Sequence, residues 1–315
     1  MKITKISITL LSLLCLTGCP NPEYAYKNIQ YNHIEKNGLK VNYYLLPGTE
    51  EQKDLIIFFD GSSKQSVLGL KNKLGWEKMG LPYYIRKALP ENVDLLVPEK
   101  INLSPGEDIS KNENFLTSDT LKNKTSLYAS LINLYLGSHT NYKHIYLMGY
   151  SEGGFVLPKI YNKLAEKEKI SGLILCASGG LSYYETLRIQ EQSHLIFTKK
   201  YRQSLSQLGK EIVRIKMRPN AVDRYYFGWP YCKWIDYMTY RPINDFIKVK
   251  IPILMIHGDK DLNIPVESAQ YVKEAFDKTG KKNLTYHEIK NADHTFNGKF
   301  DQLTEEILAW IPSTF

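Results

Sequence analysis

The sequence predicts an α/β fold with a mostly parallel central sheet flanked by helices. Three observations predict it. Short apolar runs alternate with stretches of helical apolar spacing, the runs are apolar throughout like strands buried on both faces, and one long interval breaks the alternation. Hydrophobic residues make up 43% of the 315-residue chain, which permits one large globular domain with room for an insertion.

The first predicted element is a hairpin. Its turn is Lys36-Asn37-Gly38, because Asn-Gly is a strong signal for a tight turn between two strands. The strands are predicted at residues 29–35, 39–46, 55–59, 93–97, 144–148, 173–176, 253–256 and 284–289. The helices are predicted at residues 121–136, 155–164, 266–276 and 303–310. Pro158 falls inside the second helix and is expected to kink it, since it removes one backbone hydrogen bond.

The interval that breaks the alternation spans residues 179–250 and predicts an inserted helical cap. It holds 13 Lys and Arg residues and 6 Asp and Glu residues, so it carries most of the chain's net charge of +8. This excess could face anionic lipid headgroups or an anionic substrate, or it could be a solvated surface. The aromatic residues at 225–240 could wall an apolar pocket or form the cap's own core. No nucleic-acid-binding motif is present, and nothing indicates an oligomeric state.

The first residues predict a targeting segment that is not part of the fold. Lys2 and Lys5 precede an apolar run at 6–16, which is shorter than the roughly 20 residues that span a bilayer. The run ends in Leu-Thr-Gly-Cys at 16–19, which resembles a bacterial lipoprotein signal. The resemblance implies removal of residues 1–18 and acylation of Cys19. It also implies export and lipid anchoring to a bacterial cell membrane, at the outer membrane or the periplasmic face. The alternative is an ordinary secretory signal that leaves Cys19 as a plain thiol.

The remaining cysteines indicate little. Cys176 lies in an apolar run and is expected to be a buried strand residue, and Cys232 lies in the aromatic stretch. A disulfide between them is an option in an oxidising compartment. No Cys/His spacing of the metal-binding type occurs, so no metal and no cofactor are expected.

A serine flanked by glycines follows the strand predicted at 144–148. Residues 149–153 read Gly-Tyr-Ser-Glu-Gly, which predicts a sharp strand-to-helix turn that exposes Ser151 at its tip. The two glycines lack a Cβ that would clash with the flanking strand and helix. The motif alone is weakly specific, because it arises by chance in roughly one chain of this size in ten. A catalytic serine also needs a base, an acid and an oxyanion hole.

A base and an acid are found at two further strand ends. Of the seven histidines, His294 lies in the loop just past the last strand, whereas His257 ends a strand and is expected to be structural. Asp261 follows the strand predicted at 253–256, and the carboxyl ends of parallel strands meet at one edge of a sheet. Asp259 is the nearest rival to Asp261. Asp293 adjoins the histidine and is expected to face solvent or cap a turn.

These three residues, Ser151, Asp261 and His294, follow the chain order Ser–Asp–His. Together with Gly-x-x-Asp-x-x-Ile-Pro at 258–265 and Ala-Asp-His at 292–294, they resemble the α/β-hydrolase superfamily over nearly the whole chain beyond the signal segment. The resemblance implies that Ser151 is the nucleophile, that His294 acts as base and then acid, and that Asp261 orients His294. It also implies a small-molecule acyl substrate.

The resemblance further implies an oxyanion hole made by two backbone N–H groups. One belongs to Glu152, which follows the nucleophile, and the other to Ser62 in the loop after the third strand. That loop carries Asp60 where the superfamily usually has a histidine. Because a carboxylate beside a developing oxyanion is unfavourable, Asp60 is expected to be turned away or paired.

The leading interpretation is a membrane-anchored serine hydrolase that cleaves a carboxylic ester, or a related acyl bond, through an acyl-enzyme. One alternative is a serine peptidase, because residues 149–154 also resemble the serine motif of prolyl-oligopeptidase-type domains. An acyltransferase is another. A non-catalytic lipoprotein that binds a ligand is the alternative from a different class, although such a protein has no need for all three residues.

Overall fold

The computed structural model describes residues 26, 28–72, 75–109, 112–193 and 199–311. The predicted signal segment and Cys19 lie outside these residues. The strands are β1 (Gln30–Lys36), β2 (Leu39–Leu46), β3 (Asp54–Phe59), β4 (Gly69–Asn72), β5 (Gly75–Met79), β6 (Val93–Pro98), β7 (Ile145–Tyr150), β8 (Gly172–Cys176), β9 (Tyr225–Tyr226), β10 (Trp229–Pro230), β11 (Ile253–Gly258) and β12 (Leu284–Ile289). The helices are α1 (Leu81–Ala88), α2 (Glu113–Ser118), α3 (Leu121–Ser138), α4 (Glu152–Asn162), α5 (Tyr183–Gln192), α6 (Lys199–Leu205), α7 (Leu208–Met217), α8 (Tyr231–Thr239), α9 (Ile243–Phe246), α10 (Val266–Lys278) and α11 (Phe300–Trp310). Within those ranges, no helix combines the length and the apolar character needed to cross a membrane.

Eight strands form one sheet in the order β1-β2-β6-β3-β7-β8-β11-β12. β1 and β2 pair as the predicted antiparallel hairpin, and β2 is also antiparallel to β6. All pairings from β6 across to β12 are parallel. The predicted α/β architecture, a mostly parallel sheet flanked by helices, is therefore confirmed.

Both faces of the parallel strands inside the sheet, β3, β6, β7, β8 and β11, are buried, as their largely apolar runs predict, whereas the edge strand β12 is mostly half-buried. In β3, Leu55, Ile57 and Phe59 point to the face covered by α3 and α4. Ile56 and Phe58 point to the opposite face, where α1 and α11 pack. Because successive side chains of a strand alternate between faces, an all-apolar strand fits only between two layers of helices.

The structure differs from the predicted elements at helix starts, in the helices α1 and α2, which were not predicted, and in short exposed strands. α4 begins at Glu152 rather than at residue 155, because the helix starts directly after the turn at Ser151. Pro158 lies inside α4, as predicted. The β4–β5 hairpin was not predicted, since its strands have largely half-buried or exposed residues and form no apolar run.

The insertion, residues 179–250, contains α5 to α9 and the two-residue strands β9 and β10. Its aromatic residues pack on the sheet domain: Phe155 of α4 stacks on Tyr237 of α8 with ring centroids 5.4 Å apart and meets Tyr183 edge-on at 4.7 Å. Tyr183 and Tyr237 are therefore core rather than pocket wall, whereas Tyr225 is exposed. Cys176 and Cys232 are both free thiols, so the disulfide considered for them is not formed.

Candidate active site

Ser151 occupies a strained turn between β7 and α4. Its φ is 54° and its ψ is −117°, a conformation that costs a non-glycine residue about 1–3 kcal/mol. The turn forms because backbone packs directly on backbone. A Cβ added to Gly153 would lie 2.0 Å from the carbonyl oxygen of Phe59, and one added to Gly149 would lie 2.5 Å from the amide nitrogen of Gly154. Both glycines that flank the serine are therefore required, because a Cβ at either position would clash with neighbouring backbone atoms.

The structure brings Ser151, His294 and Asp261 together at the carboxyl edge of the sheet. Nε2 of His294 lies 3.0 Å from Oγ of Ser151, and Nδ1 lies 2.8 Å from Oδ2 of Asp261. Asp261 is on the loop after β11 and His294 on the loop after β12, so neighbouring parallel strands deliver both side chains to Ser151. Ser151 is buried, at 7% exposure, which limits competing contact with water.

Asp261 is fixed by four hydrogen-bonding groups. Its Oδ1 accepts the N–H groups of Asn263 and Ile264 at 2.8 and 2.9 Å, while Oδ2 faces His294 and lies 3.3 Å from Nε2 of His257. Burial alone would raise the pKa of this carboxyl group, but the charge of His294 and the hydrogen bonds from His257 and His294 outweigh it. The pKa is held well below its usual range, so Asp261 stays ionised.

The other candidates near the site have structural contacts. Asp259 accepts the N–H of Asn291 at 2.6 Å. Asp293 accepts the N–H of Thr295 at 2.9 Å, as expected of a residue that caps a turn. His257 is fully buried, with Nδ1 3.1 Å from the carbonyl oxygen of Ser178, which agrees with its interpretation as structural.

The loop after β3 runs directly beside the serine. A Cβ added to Gly61 would lie 3.1 Å from Cβ of Ser151, and the next residue, Ser62, is exposed. The N–H of Glu152 belongs to the first turn of α4, where backbone donors have no partner within the helix. Glu152 thus follows Ser151 in the chain, and Ser62 follows Gly61, which lies beside Ser151; the role of the two N–H groups as an oxyanion hole remains a prediction.

Asp60, the unusual residue of that loop, is paired. Its Oδ2 accepts a hydrogen bond from Ser63 at 3.3 Å and lies 3.8 Å from Nζ of Lys100. Nζ of Lys100 also donates to Oγ of Ser63 at 2.8 Å and to the carbonyl oxygen of Gln65. Lys100 therefore ties this loop to the end of β6 and balances the charge of Asp60. Burial lowers the pKa of Lys100, against the attraction of Asp60 and Glu99.

Sequence reasoning missed a buried charge network behind the serine. Lys233 of α8 contacts Oδ2 of Asp119 at 2.5 Å and Oε2 of Glu152 at 2.9 Å. Lys124 of α3 contacts Oδ1 of Asp119 at 2.7 Å and bonds Oε1 of Glu152, which also accepts the hydroxyl of Tyr237 at 2.9 Å. All four charged residues are at most 7% exposed. The network joins the insertion, α3 and the residue next to Ser151.

The two ammonium groups control the ionisation of Glu152. Burial would raise the pKa of Glu152, but Lys124 and Lys233 outweigh it and hold that pKa well below 4.5. The sequence did contain a signal for this network. Lys124 shares the buried face of α3 with Leu121 and Tyr128, and a lysine on such a face needs a buried carboxylate.

Several solved structures of known proteins share this fold. Est1E from Butyrivibrio proteoclasticus with ferulic acid bound is 18% identical, with a TM-score of 0.62, over 90% of this chain and 98% of that chain. A thermophilic esterase from Thermogutta terrifontis with malate bound is 15% identical, with a TM-score of 0.55, and the match covers 90% of this chain and 99% of the esterase. The uncomplexed acylaminoacyl peptidase of Pyrococcus horikoshii is 15% identical, with a TM-score of 0.57, and the match covers 90% of this chain and 40% of the peptidase. The chain has the α/β-hydrolase fold.

The sequence comparisons add a partial family match. The profile of the prolyl oligopeptidase family matches residues 220–315, a stretch that contains Asp261 and His294. A search of the curated proteins finds no match. The fold and this partial match together support a hydrolase of the serine type. Across the described ranges, no group of three or more His, Cys, Asp and Glu side chains is arranged to hold a metal ion.

Proposed function

We propose that this protein is a serine hydrolase that cleaves a carboxylic ester, or a related acyl bond, of a small-molecule substrate. One observation carries the proposal: the ring of His294 bridges Oγ of Ser151 at 3.0 Å and Oδ2 of Asp261 at 2.8 Å. This is the geometry in which a histidine removes the proton of a serine while a carboxylate fixes the histidine tautomer.

In the proposed acylation step, Oγ of Ser151 attacks the ester carbonyl carbon while Nε2 of His294 takes the hydroxyl proton. Nδ1–H of His294 donates to Asp261, whose low pKa keeps it ionised beside the imidazolium that forms. The N–H groups of Glu152 and Ser62 would stabilise the oxyanion, and losing one such donor typically costs about 2.7–4 kcal/mol. The intermediate collapses when the C–O bond breaks and the imidazolium protonates the leaving alcohol.

Deacylation in the proposed mechanism repeats these steps with water. Nε2 of His294 takes a proton from a water molecule, whose oxygen attacks the acyl carbonyl carbon. The imidazolium then returns a proton to Oγ of Ser151, and the carboxylic acid leaves. An acyltransferase differs only in that another alcohol replaces water, so the same residues support it.

The extent of the structural matches favours an ester over a peptide. The chain covers 98% of Est1E and 99% of the Thermogutta terrifontis esterase, but only 40% of the Pyrococcus horikoshii peptidase. A peptidase of the prolyl-oligopeptidase type is the second candidate, because the profile of that family matches residues 220–315.

A substrate panel tests this proposal. The purified chain would be assayed with p-nitrophenyl esters of increasing acyl length and, in parallel, with N-acylaminoacyl p-nitroanilides. We expect ester turnover to exceed anilide turnover and to be lost in Ser151→Ala with the fold intact. Faster turnover of the anilides would favour the peptidase. Ester turnover that survives in Ser151→Ala would contradict the site itself.

We also propose that Cys19 carries a lipid that anchors the protein to a bacterial membrane, with the insertion acting as a cap over the site. The residues at 16–19 support the anchor. The cap is supported by Gln190 of α5, which donates to the carbonyl oxygens of Leu262 and Asn263 beside Asp261, at 2.8 Å each.

The lipid anchor is tested by Cys19→Ser, which should move the protein from the membrane fraction to the soluble fraction of the cells. Continued sedimentation with membranes would contradict the lipid anchor.

A further inference from the structure

The insertion presents a surface on which exposed apolar and cationic side chains are mixed. We call it the α7 surface and define it by Lys210, Val213, Lys216, Met217 and Arg218. Val213 is 54% exposed, Met217 76% and Tyr225 52%. Of the eight large hydrophobic side chains exposed in the described residues, four lie between residues 213 and 225. Exposed apolar side chains are therefore concentrated in this stretch of the insertion.

The same stretch holds most of the chain's positive charge. Residues 199–225 contain eight Lys and Arg residues against two Asp and Glu residues, an excess of six, while the whole chain has an excess of eight. Arg214 pairs with Glu211, and Arg224 lies 3.7 Å from Asp223. Lys210, Lys216 and Arg218 have no carboxylate within ion-pairing distance in the described part of the chain. Their charges are thus available to an external anion.

Helix α7 shows that this surface is not needed for packing. Its buried residues, Leu208, Glu211 and Ile215, face the rest of the insertion. Val213 and Met217 are one turn apart on the outside, where a soluble helix usually carries polar residues. The outer apolar residues are therefore largely exposed, although the helix is already anchored by its other face.

The combination of apolar and cationic side chains selects the type of partner. Cations attract the headgroups of anionic lipids, and neighbouring apolar side chains gain free energy by entering the boundary between headgroups and acyl chains. A nucleic acid would use the cations but would give Val213 and Met217 nothing apolar to bury against. We propose that the α7 surface docks on membranes that contain anionic lipid. The inference does not depend on the proposed hydrolysis or on acylation of Cys19.

Vesicle co-sedimentation tests the proposal. The full chain would carry Cys19→Ser in every version, so that any contribution of residues 1–25 is common to all. Vesicles of phosphatidylcholine alone and with 30% phosphatidylglycerol would be compared. We expect the double variant Lys216→Gln/Arg218→Gln to lower the partition coefficient on anionic vesicles about 30-fold, since each cation near such a surface contributes roughly a factor of five. The matched control is Lys78→Gln/Lys282→Gln, which removes two exposed lysines outside the insertion and should change nothing.

The apolar part of the surface is tested separately. Val213→Ser/Met217→Ser should lower binding to anionic vesicles about tenfold or more, also at high salt, where charges are screened. Leu134→Ser, at a residue of α3 that is 59% exposed, should have no effect. Equal binding to neutral and anionic vesicles would overturn the proposal, as would equal losses in the test and control pairs. Binding to a DNA duplex without binding to vesicles would overturn it in favour of a nucleic acid.

Discussion

Replacing Lys233 with methionine should destabilise the fold strongly, because it leaves a buried carboxylate without a counter-charge. Lys233 is 3% exposed and contacts both Asp119 and Glu152, at 2.5 and 2.9 Å. Without its ammonium group, the two carboxylates share the single charge of Lys124. Methionine keeps most of the apolar stem of lysine, so the loss of packing is small and the change reports mainly on charge.

The expected magnitude follows from this burial. Removing one partner of a buried ion pair costs about 3–5 kcal/mol of unfolding free energy, because the remaining charge is desolvated and unpaired. Free energies of unfolding of about 5–15 kcal/mol are typical, so the variant would lose a large part of its total stability. Lys250→Met, which removes an exposed lysine of the same insertion, should stay within about 0.5 kcal/mol of the unmodified chain.

Urea unfolding, followed by tryptophan fluorescence and circular dichroism, measures the effect. A double variant, Lys233→Met/Glu152→Gln, provides the internal check, because it leaves one carboxylate with one ammonium group. It should be more stable than the sum of the two single changes predicts, by about 0.5–3 kcal/mol. Equal losses for Lys233→Met and Lys250→Met, or strict additivity in the double variant, would refute the reasoning.

Three other predictions concern the site and its support. Asp261→Asn should lower kcat about 10⁴-fold, because the tautomer of His294 is no longer fixed. Asp259→Asn should retain most of the activity. The reverse order of the two variants in ester assays would assign the acid to Asp259. Gly153→Ala should lower the melting temperature and the activity, because its Cβ would lie 2.0 Å from the carbonyl oxygen of Phe59. The control, Gly137→Ala, should be neutral or stabilising, because no heavy atom lies within 4 Å of the added Cβ. Similar melting temperatures for the two variants would contradict the close packing at the turn. The pKa of Glu152 is lower in the folded chain than its ordinary 4.5, so its contribution to stability is present above that pH and is lost as the pH falls below it. Urea unfolding between pH 3 and pH 7 should show a smaller acid loss in Glu152→Gln, and identical pH profiles would show that Glu152 is not held by the two lysines.

The elements that bury apolar surface were predictable from the sequence. The interior strands of the parallel sheet are short, largely apolar runs, and each lies within two residues of its predicted start and end, because burial on both faces favours such runs. The turn at Ser151 was equally readable, since glycine spacing reports where backbones approach closely. The chain order of Ser151, Asp261 and His294 followed from their positions at strand ends.

The rest depends on contacts between residues distant in the chain. Lys233 and Asp119 are 114 positions apart, and no local pattern indicates that they meet. The sequence predicts a role only for the backbone N–H of Glu152, whereas its side chain joins α3 to the insertion. The pairing of Asp60 with Lys100 was anticipated as a requirement, but the partner was not, because it comes from the end of β6. Sequence alone left the aromatic residues of the insertion as pocket wall or core, because it does not show that Phe155 of α4 packs on Tyr237 and Tyr240.

Covalent labelling of Ser151 tests the central claim most directly. The purified chain would be treated with a fluorophosphonate, and its intact mass and peptide map would locate the adduct. The account predicts one adduct per chain on Ser151, none in Ser151→Ala, and much slower labelling in an otherwise folded His294→Ala. No labelling of the folded chain, or labelling that persists in Ser151→Ala, would contradict the claim that Ser151 is an activated nucleophile.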